Sequence, residues 1–428
     1  MVSLRDARGL RVTAGGRDAV ELLDGAVTAY LGARADTRER VGRLLSADPG
    51  CVMGHVLDGY LAMLSSKREG TERARDAWAV AASVARRARA SRREVLHVEA
   101  LDAWSRGDMR AVVRYWDALL ADYPRDILAL KASQFVLSYL GESGRMRDTV
   151  ERALPAWDPG VPGYGFVLGC HAYALEEAGD YAPAEETGRR AVELNRADIW
   201  AAHAVAHVAE MQGRLREGIA WVALLAGEWG QCSNFAFHLR WHEGLYHLDL
   251  EEYGRVLELY DREVRAQPSD EYLDITNAVS LLWRLEQAEV DVGPRWHELA
   301  ERARAHLDDH ALVFVDVHYL MALVAARDDA AAGRFLESCE RFAAAGAGTE
   351  AAVMADVGLP LARGAWAHRR GVYGEAVDLL LPIRSRVREI GGSHAQRDVF
   401  EQMLIDAAWR AGQLATALEE LDRIVQGP

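Results

Sequence analysis

The sequence has few cysteines and no long apolar run. Its four cysteines stand far apart in 428 residues, at Cys51, Cys170, Cys232 and Cys339. This spacing fits neither a disulfide framework nor a cysteine zinc cluster, and it indicates a reducing compartment. No stretch approaches the roughly 20 apolar residues of a membrane span, and the N-terminus lacks the apolar core of a signal peptide. We therefore expect a cytoplasmic protein with no membrane partner.

The chain also has no excess of positive charge and no nucleotide-binding motif. The formal net charge is -15, and the arginine-rich stretch Arg86–Arg93 alternates with alanine, as the surface of a helix would. Nucleic acid is therefore not an expected partner. The chain shows no Walker loop, dinucleotide-binding glycine motif or nucleophile elbow, so we expect no nucleotide cofactor.

Strand signals are scarce, whereas helical periodicity runs through nearly the whole chain. Apolar residues recur three and four apart, as in the segment 128–140, and there are only 11 prolines. The breaks between helical patterns are short and carry proline, glycine, aspartate or asparagine. Short breaks imply that neighbouring helices are antiparallel. The sequence predicts an all-α protein.

The breaks recur at a regular spacing. Gly107, Gly144, Gly179 and Gly213 each fall in a small-residue turn, at a spacing close to the roughly 34 residues of a tetratricopeptide repeat. This period predicts a tetratricopeptide-like α-solenoid, a right-handed superhelix of antiparallel helical hairpins. With no clear linker, we expect one continuous array over residues 1–428. The alanine-rich segment Ala343–Ala352 is predicted to be a loop between hairpins.

Histidines and an acid share one face of a predicted helix. His203 and His207 are four residues apart, and Glu210 follows three residues later, so the three side chains lie within roughly 60° of each other around the helix. The same spacing recurs one repeat later at His238 and His242. Adjacent hairpins should therefore present four imidazoles and a carboxylate at a similar height.

Three kinds of site are compatible with this pattern. Paired imidazoles with a carboxylate suit a divalent metal, which is the one cofactor the sequence suggests. They also suit a buried network that fixes helix packing, or a metal-free general acid and base pocket. Trp200 and Trp241 flank the histidines and are candidate walls of a ligand pocket. His171, one hairpin earlier, is a further candidate contact.

A third histidine-containing segment lies further along the chain. His310, Phe314 and His318 fall along one predicted helical stripe, with Asp316 pointing elsewhere. His310, Asp316 and His318 are candidate ligand-binding residues, although the same residues also suit a structural role.

Ordered blocks along the chain resemble the tetratricopeptide repeat protein 38 family, of which this sequence looks like a bacterial member. The resemblance covers nearly the whole length and is specific because so many blocks keep their order. The blocks are Val52–His55, Arg93–His97, Leu128–Lys131, Met146–Asp148, Trp200–Glu210, His238–Leu245, Tyr260–Asp261, His310–Met321, Asp356–Pro360, Leu381–Arg384 and Gly391–Asp398.

This resemblance implies a tetratricopeptide-like solenoid and brings no settled activity. It draws attention to the last block, where Ser393, Gln396, Arg397 and Asp398 follow two glycines at the start of a predicted helix. A polar helix start with free backbone N–H groups and an arginine suits an anion. A plain capping role for Ser393 suits the same residues.

Two functions follow from these observations. The first is an enzyme or ligand-binding protein with an enclosed pocket, in which the histidines and Glu210 act on a small molecule with or without a metal. The second is an adaptor whose inner groove binds a peptide or a partner protein. We favour the first, because four imidazoles and an acid are costly to desolvate for packing alone. The reaction class and the oligomeric state do not follow from the sequence.

Overall fold

The computed structural model describes residues 4–415, and these are almost entirely helical. The chain divides into two compact units, Met1–Leu250 and Glu251–Pro428, and each is described by itself. Whether the hairpins form one continuous array across both units stays a prediction. Among the residues described, no helix is both long and apolar enough to cross a bilayer.

The first unit begins with a short antiparallel strand pair and continues with thirteen α-helices among its described residues. The strands are β1 (Leu4–Arg5) and β2 (Arg11–Val12). The helices are α1 (Arg17–Leu31), α2 (Thr37–Ala47), α3 (Val52–Met63), α4 (Arg68–Ala88), α5 (Arg92–Ser105), α6 (Met109–Asp122), α7 (Ile127–Tyr139), α8 (Ser143–Ala153), α9 (Tyr164–Glu177), α10 (Tyr181–Leu194), α11 (Ile199–Met211), α12 (Leu215–Leu225) and α13 (Phe235–Asp249).

The second unit is helical throughout its described part. Its α-helices are α14 (Tyr253–Leu259), α15 (Tyr272–Gln287), α16 (Trp296–Ala305), α17 (Val313–Ala325), α18 (Asp329–Ala345), α19 (Thr349–Val353), α20 (Leu359–Arg369), α21 (Tyr373–Leu380) and α22 (His394–Arg410). Two π-helical turns, Tyr260–Val264 and Met354–Gly358, continue α14 and α19.

Aspartate caps start several of these helices. The side chains of Asp108, Asp126 and Asp198 each accept a hydrogen bond from the backbone N–H three residues later, at the first turns of α6, α7 and α11. Such caps satisfy N–H groups that have no partner inside the helix. Consecutive helices joined by short turns form hairpins, and the predicted all-α helical-repeat class is confirmed.

Two details of the predicted turns are wrong. Gly107, Gly179 and Gly213 do occupy left-handed turns, but between α7 and α8 this conformation belongs to Gly141 (φ 65°). Gly144 instead lies in the first turn of α8, so the repeat spacing placed the turn three residues too late. The predicted loop Ala343–Ala352 is mostly helical, because α18 runs to Ala345 and α19 begins at Thr349.

In the hairpin formed by α11 and α12, the first helix is more deeply buried than the second. In α11 every residue from Ile199 to Ala209 is buried, and only the last two are not. Its partner α12 buries only Gly218, Val222 and Leu225. The two histidines of α11 therefore lie inside the first unit.

The loop after α1 pairs with the loop before α13. The backbone N–H of Ser233 donates to the carbonyl of Ala33 at 2.7 Å, and that of Ala35 donates to the carbonyl of Gln231 at 3.1 Å. Arg34 and Cys232 form an antiparallel bridge between them. The first and last hairpin regions of this unit are therefore in direct contact.

Candidate functional site

Four histidines from two adjacent helices meet inside the first unit. His203 and His207 come from α11, and His238 and His242 come from α13. Their exposed fractions are between 0% and 2%. One ring nitrogen of each lies within 4.8 Å of one ring nitrogen of every other. The spacing of four within each helix and the match between hairpins bring the rings together as the sequence predicted.

Two of the nitrogen contacts are very close. The Nε2 atom of His203 lies 2.8 Å from Nε2 of His207 and 2.9 Å from Nε2 of His238. The ring centroids of His203 and His207 are 4.3 Å apart, and those of His207 and His242 are 4.5 Å apart. The ring nitrogens of the four histidines therefore crowd together at one place between α11 and α13.

Carboxylates face the outer nitrogens of two rings. The Nδ1 atom of His242 lies 2.6 Å from Oε2 of Glu210, and Nδ1 of His207 lies 3.3 Å from Oε2 of Glu176. Metal-binding histidines commonly hold a carboxylate on the nitrogen that does not ligate, which fixes the tautomer and the ring orientation. His242 has this arrangement, with Nε2 as the ring nitrogen available to an ion, whereas the longer contact between His207 and Glu176 is not a hydrogen bond.

Aromatic side chains enclose the rings. Trp241 stacks on His238 with centroids 5.2 Å apart and an interplanar angle of 12°. The rings of Trp200 and Phe235 lie 5.6 and 5.1 Å from that of His203. Both predicted tryptophans therefore contact the histidines directly, and they surround the cluster with apolar surface.

The environment sets the charge of each group. Burial, followed by the neighbouring imidazoles, holds the pKa of His203 well below its usual value, so this ring is neutral near pH 7. Burial opposes protonation of His207 as well, but Glu176 and the acids beside it outweigh burial and raise its pKa. Burial raises the pKa of Glu176 to about 7.

The nitrogen set fits a tetrahedral metal ion. Zinc holds imidazole nitrogens at about 2.0–2.1 Å, which places neighbouring nitrogens about 3.3 Å apart. The closest pairs here are 2.8 and 2.9 Å apart, so shifts of about half an ångström would create the required space. Neutral imidazoles suit zinc, copper, nickel and iron.

His171, the other candidate of the first unit, lies outside the cluster. It is half-buried on α9, and its Nε2 atom lies 3.6 Å from Oε1 of Glu151. Burial lowers its pKa. The sequence indicated its helix correctly, but its contacts differ from those of the four clustered rings.

In the second unit, His310 precedes α17 instead of lying on a helical stripe with His318. It has a left-handed backbone (φ 44°), and its Nδ1 atom lies 3.3 Å from Oδ1 of Asp316. Its Nε2 atom lies 2.9 Å from the hydroxyl of Ser338, which donates to Asp308. The expectation that Asp316 points away from His310 is therefore wrong, because the chain turns sharply before the helix begins.

His318 is a buried, neutral ring. Its Nδ1–H donates to the carbonyl of Phe314 at 2.7 Å, and burial lowers its pKa to about 4. The rings of Phe314 and His318 lie 4.4 Å apart, as the helical spacing predicted. A neutral ring that bonds its own helix is typical of a packing role.

The start of α22 forms a capping box. The backbone N–H of Gln396 donates to the Ser393 hydroxyl, and the N–H of Ser393 donates to the Gln396 side chain. Arg397 bonds the carbonyl of Gly392, and Asp398 accepts from Gln402. Ser393 therefore has the capping role, which was the alternative to an anion site in the sequence analysis.

Sequence reasoning missed two acids of the cluster. Glu176 and Glu177 end α9 and lie beside His207, but neither was selected as a site residue. The repeat provided a signal, because Glu176 and Glu210 stand 34 residues apart and so occupy equivalent repeat positions.

The chain matches no known protein-family model.

Proposed function

We propose that this chain is a metalloprotein whose first unit binds one divalent transition-metal ion, zinc in the first instance, through His203, His207, His238 and His242. The observation that carries the proposal is the convergence of four buried ring nitrogens within 4.8 Å of one another. The Nε2 atom of His203 lies within 2.9 Å of two other Nε2 atoms, and a hydrogen bond can join it to only one of them, whereas an ion at the centre attracts each lone pair.

The carboxylates around the rings support the same proposal. Glu176 and Glu210 face His207 and His242 and offset the charge of the ion. Zinc is the first choice because four imidazoles satisfy its tetrahedral preference. Copper and nickel are the expected competitors, since imidazole sites follow the general order of divalent metal affinities.

The proposal extends to a metal-assisted enzyme that acts on a small molecule. The side chain of Glu210 keeps 13% exposure, so the cluster reaches the surface at the C-terminal end of α11. A carboxylate beside an ion suits general acid and base chemistry on a molecule that approaches there. The competing explanation is a partner-binding adaptor in which the histidines have a structural role. In that case hydrogen bonds between pairs of rings, and not an ion, hold the cluster together.

The deciding experiment is elemental analysis of protein purified without an affinity tag. Wild-type protein should contain a stoichiometric transition metal, and the double variant His203→Ala, His242→Ala should contain none. His171→Ala removes a histidine of the same unit that lies outside the cluster, and this control should keep the wild-type metal content.

Far-UV circular dichroism of all three proteins checks that they fold. A folded wild-type protein that neither contains metal nor takes up zinc or cobalt on titration would overturn the proposal in favour of the structural network. Equal metal content in the wild type and the double variant would place the ion elsewhere.

We also propose that the hairpins are tetratricopeptide-like and that the chain is a bacterial member of the tetratricopeptide repeat protein 38 family. The ordered sequence blocks and the short hairpins support this proposal. An experimental structure of an established family member would test it, and the same hairpin order with histidines at these positions is the expected result. A different arrangement of helices would contradict it.

A further inference from the structure

One ring of the cluster presents its two nitrogens to two different sets of ligands. The Nε2 atom of His207 lies 2.8 Å from Nε2 of His203, among the four histidines. Its Nδ1 atom lies 3.3 Å from Oε2 of Glu176 on the opposite side of the ring. Glu176, Glu177 and His207 each place one possible ligand atom within 4.8 Å of the others. His207 therefore belongs to two groups of converging donors.

Glu176 is buried without a hydrogen-bond donor. Its side chain has an exposed fraction of 0%, and neither carboxylate oxygen has a hydrogen-bond partner. A buried carboxylate in this state is costly unless a cation compensates it. The contact with His207 at 3.3 Å is long for a charge-assisted hydrogen bond. A cation closer to the Glu176 oxygens than the imidazole ring would therefore stabilise the buried carboxylate.

The local backbone also favours a cation at this place. Glu176 and Glu177 are the last two residues of α9. The carbonyl end of a helix carries partial negative charge, which attracts positive ions. Glu177 is itself 5% exposed, so this second group lies almost wholly inside the protein.

We propose that His207 bridges two metal ions, and that Nδ1 of His207, Glu176 and Glu177 hold the second ion. This proposal rests on the four-histidine site proposed above. Binding of both ions requires His207 to lose the protons of both ring nitrogens, and these protons pass to solvent. With metal–nitrogen bonds of about 2 Å on either side of one ring, the ions lie about 6 Å apart.

The ligand sets give the two ions different chemistry. Four imidazoles complete the tetrahedral shell of the first ion, which makes it a closed site. One imidazole and two carboxylates leave the second ion with open positions for water or a substrate oxygen, and suit zinc, manganese or ferrous iron. The second ion is therefore the one that can bind a further ligand.

The test is the number of ions per chain. Metal-free protein is reloaded with zinc, freed of excess ion by gel filtration, and analysed for zinc against protein concentration. The wild type should hold two ions per chain, and Glu176→Gln and Glu177→Gln should each hold one. Glu193→Gln is the matched control, because Glu193 lies on the exposed face of α10 and pairs with Arg190. This control should hold two ions.

The outcomes separate the two proposals. One ion in the wild type, absent from the His203→Ala, His242→Ala variant and retained by Glu176→Gln, would overturn the bridge and leave the four-histidine site standing. No ion in any folded protein would overturn both.

Electron paramagnetic resonance of the wild type tests the bridge without variants, which could fail to fold. Loaded with two equivalents of Cu(II), bridged ions should couple magnetically through the ring, so the paramagnetic resonance signal should be far weaker at low temperature than two isolated ions give. An uncoupled signal of full intensity at two bound equivalents would overturn the bridge.

Discussion

The amine of Lys131 lies 3.2 Å from the centroid of the Trp200 ring. Lys131 is 4% exposed, and burial lowers its pKa to about 8. The chain contains only one other lysine, Lys67, among 50 basic residues. A cation over an indole face retains part of the solvation that it loses on burial. Lys131 thus places a titratable amine against a tryptophan that also contacts His203.

Replacing Lys131 by methionine should remove a pH dependence of stability. The folded pKa lies below the usual 10.5, so the unfolded chain binds more protons between about pH 8 and 10.5, and stability rises with pH in that window. The rise should total about 3 kcal/mol in the wild type relative to Lys131→Met.

Urea unfolding at pH 7.5 and pH 10 measures this difference. Lys67→Met removes the half-exposed lysine and should keep the wild-type behaviour. Parallel stability curves for the wild type and Lys131→Met would contradict the prediction.

Asp126 should be a major source of stability in the first unit. It pairs with Arg93 at 2.5 Å and with His97 at 3.0 Å, and all three side chains are at most 6% exposed. Asp126→Asn keeps a side chain that can cap α7 but removes the closest anion of the buried Arg93, which then has only Asp6 at 3.9 Å, so the change should cost about 3 kcal/mol. Asp122→Asn breaks an exposed pair with Arg92 and should cost less than about 1 kcal/mol.

The pH dependence of the Asp126 contribution follows from its charge. Burial opposes ionisation, but Arg93 and His97 outweigh it and hold the pKa of Asp126 well below its usual 3.8. Its contribution should be complete above about pH 4 and should be lost as the pH falls further. Acid unfolding of the wild type and Asp126→Asn checks this, since the difference between their free energies of unfolding should shrink progressively as the pH falls below about 4.

A methyl group at Gly218 should destabilise the packing of α12 against α13. A Cβ atom there would lie 2.4 Å from the ring of Tyr246, whose hydroxyl donates to the carbonyl of Ala206. The ring is held in place, so Gly218→Ala should cost about 1–3 kcal/mol through overpacking. Gly144→Ala is the matched control: nothing lies within 4 Å of its added Cβ, and α8 should gain about 0.5–1 kcal/mol. Thermal unfolding compares the two, and equal shifts would contradict the prediction.

In the second unit, Asp316→Asn should lower stability more in mild acid than in base. Burial lowers the pKa of His310, but Asp316 outweighs burial and raises it. A raised histidine pKa stabilises the fold fully below about pH 6.5, and this contribution is lost as the pH rises through the folded value. The variant should therefore lose about 1–3 kcal/mol at pH 5.5 and less at pH 9. A pH-independent loss in urea unfolding would refute this assignment.

Much of the site was predictable because it depends on helical spacing. His203 and His207 share a face by their separation of four, and the repeat places His238 at the equivalent height on the next hairpin. Glu176 was missed because its role depends on a third helix, α9, and on burial that the pattern of α9 alone does not reveal.

Other features depend on contacts that local pattern does not encode. The turn between α7 and α8 could use either Gly141 or Gly144, and only the packing of the hairpin selects Gly141. His310 leaves the predicted stripe because a left-handed residue reorients the chain before α17. From the sequence, Ser393 suited an anion site and a helix cap equally well. The cap is completed by the Gln396 side chain, which accepts a hydrogen bond from the backbone N–H of Ser393.

The pairing of Ala33–Ala35 with Gln231–Ser233 has an evolutionary consequence. An open row of hairpins can lengthen or shorten by duplication or deletion, since each hairpin contacts only its neighbours. Here an added or lost hairpin between α2 and α12 would move one loop away from the other and break the contact. The number of hairpins in this stretch should therefore stay constant among descendants of this sequence, while their surface residues diverge.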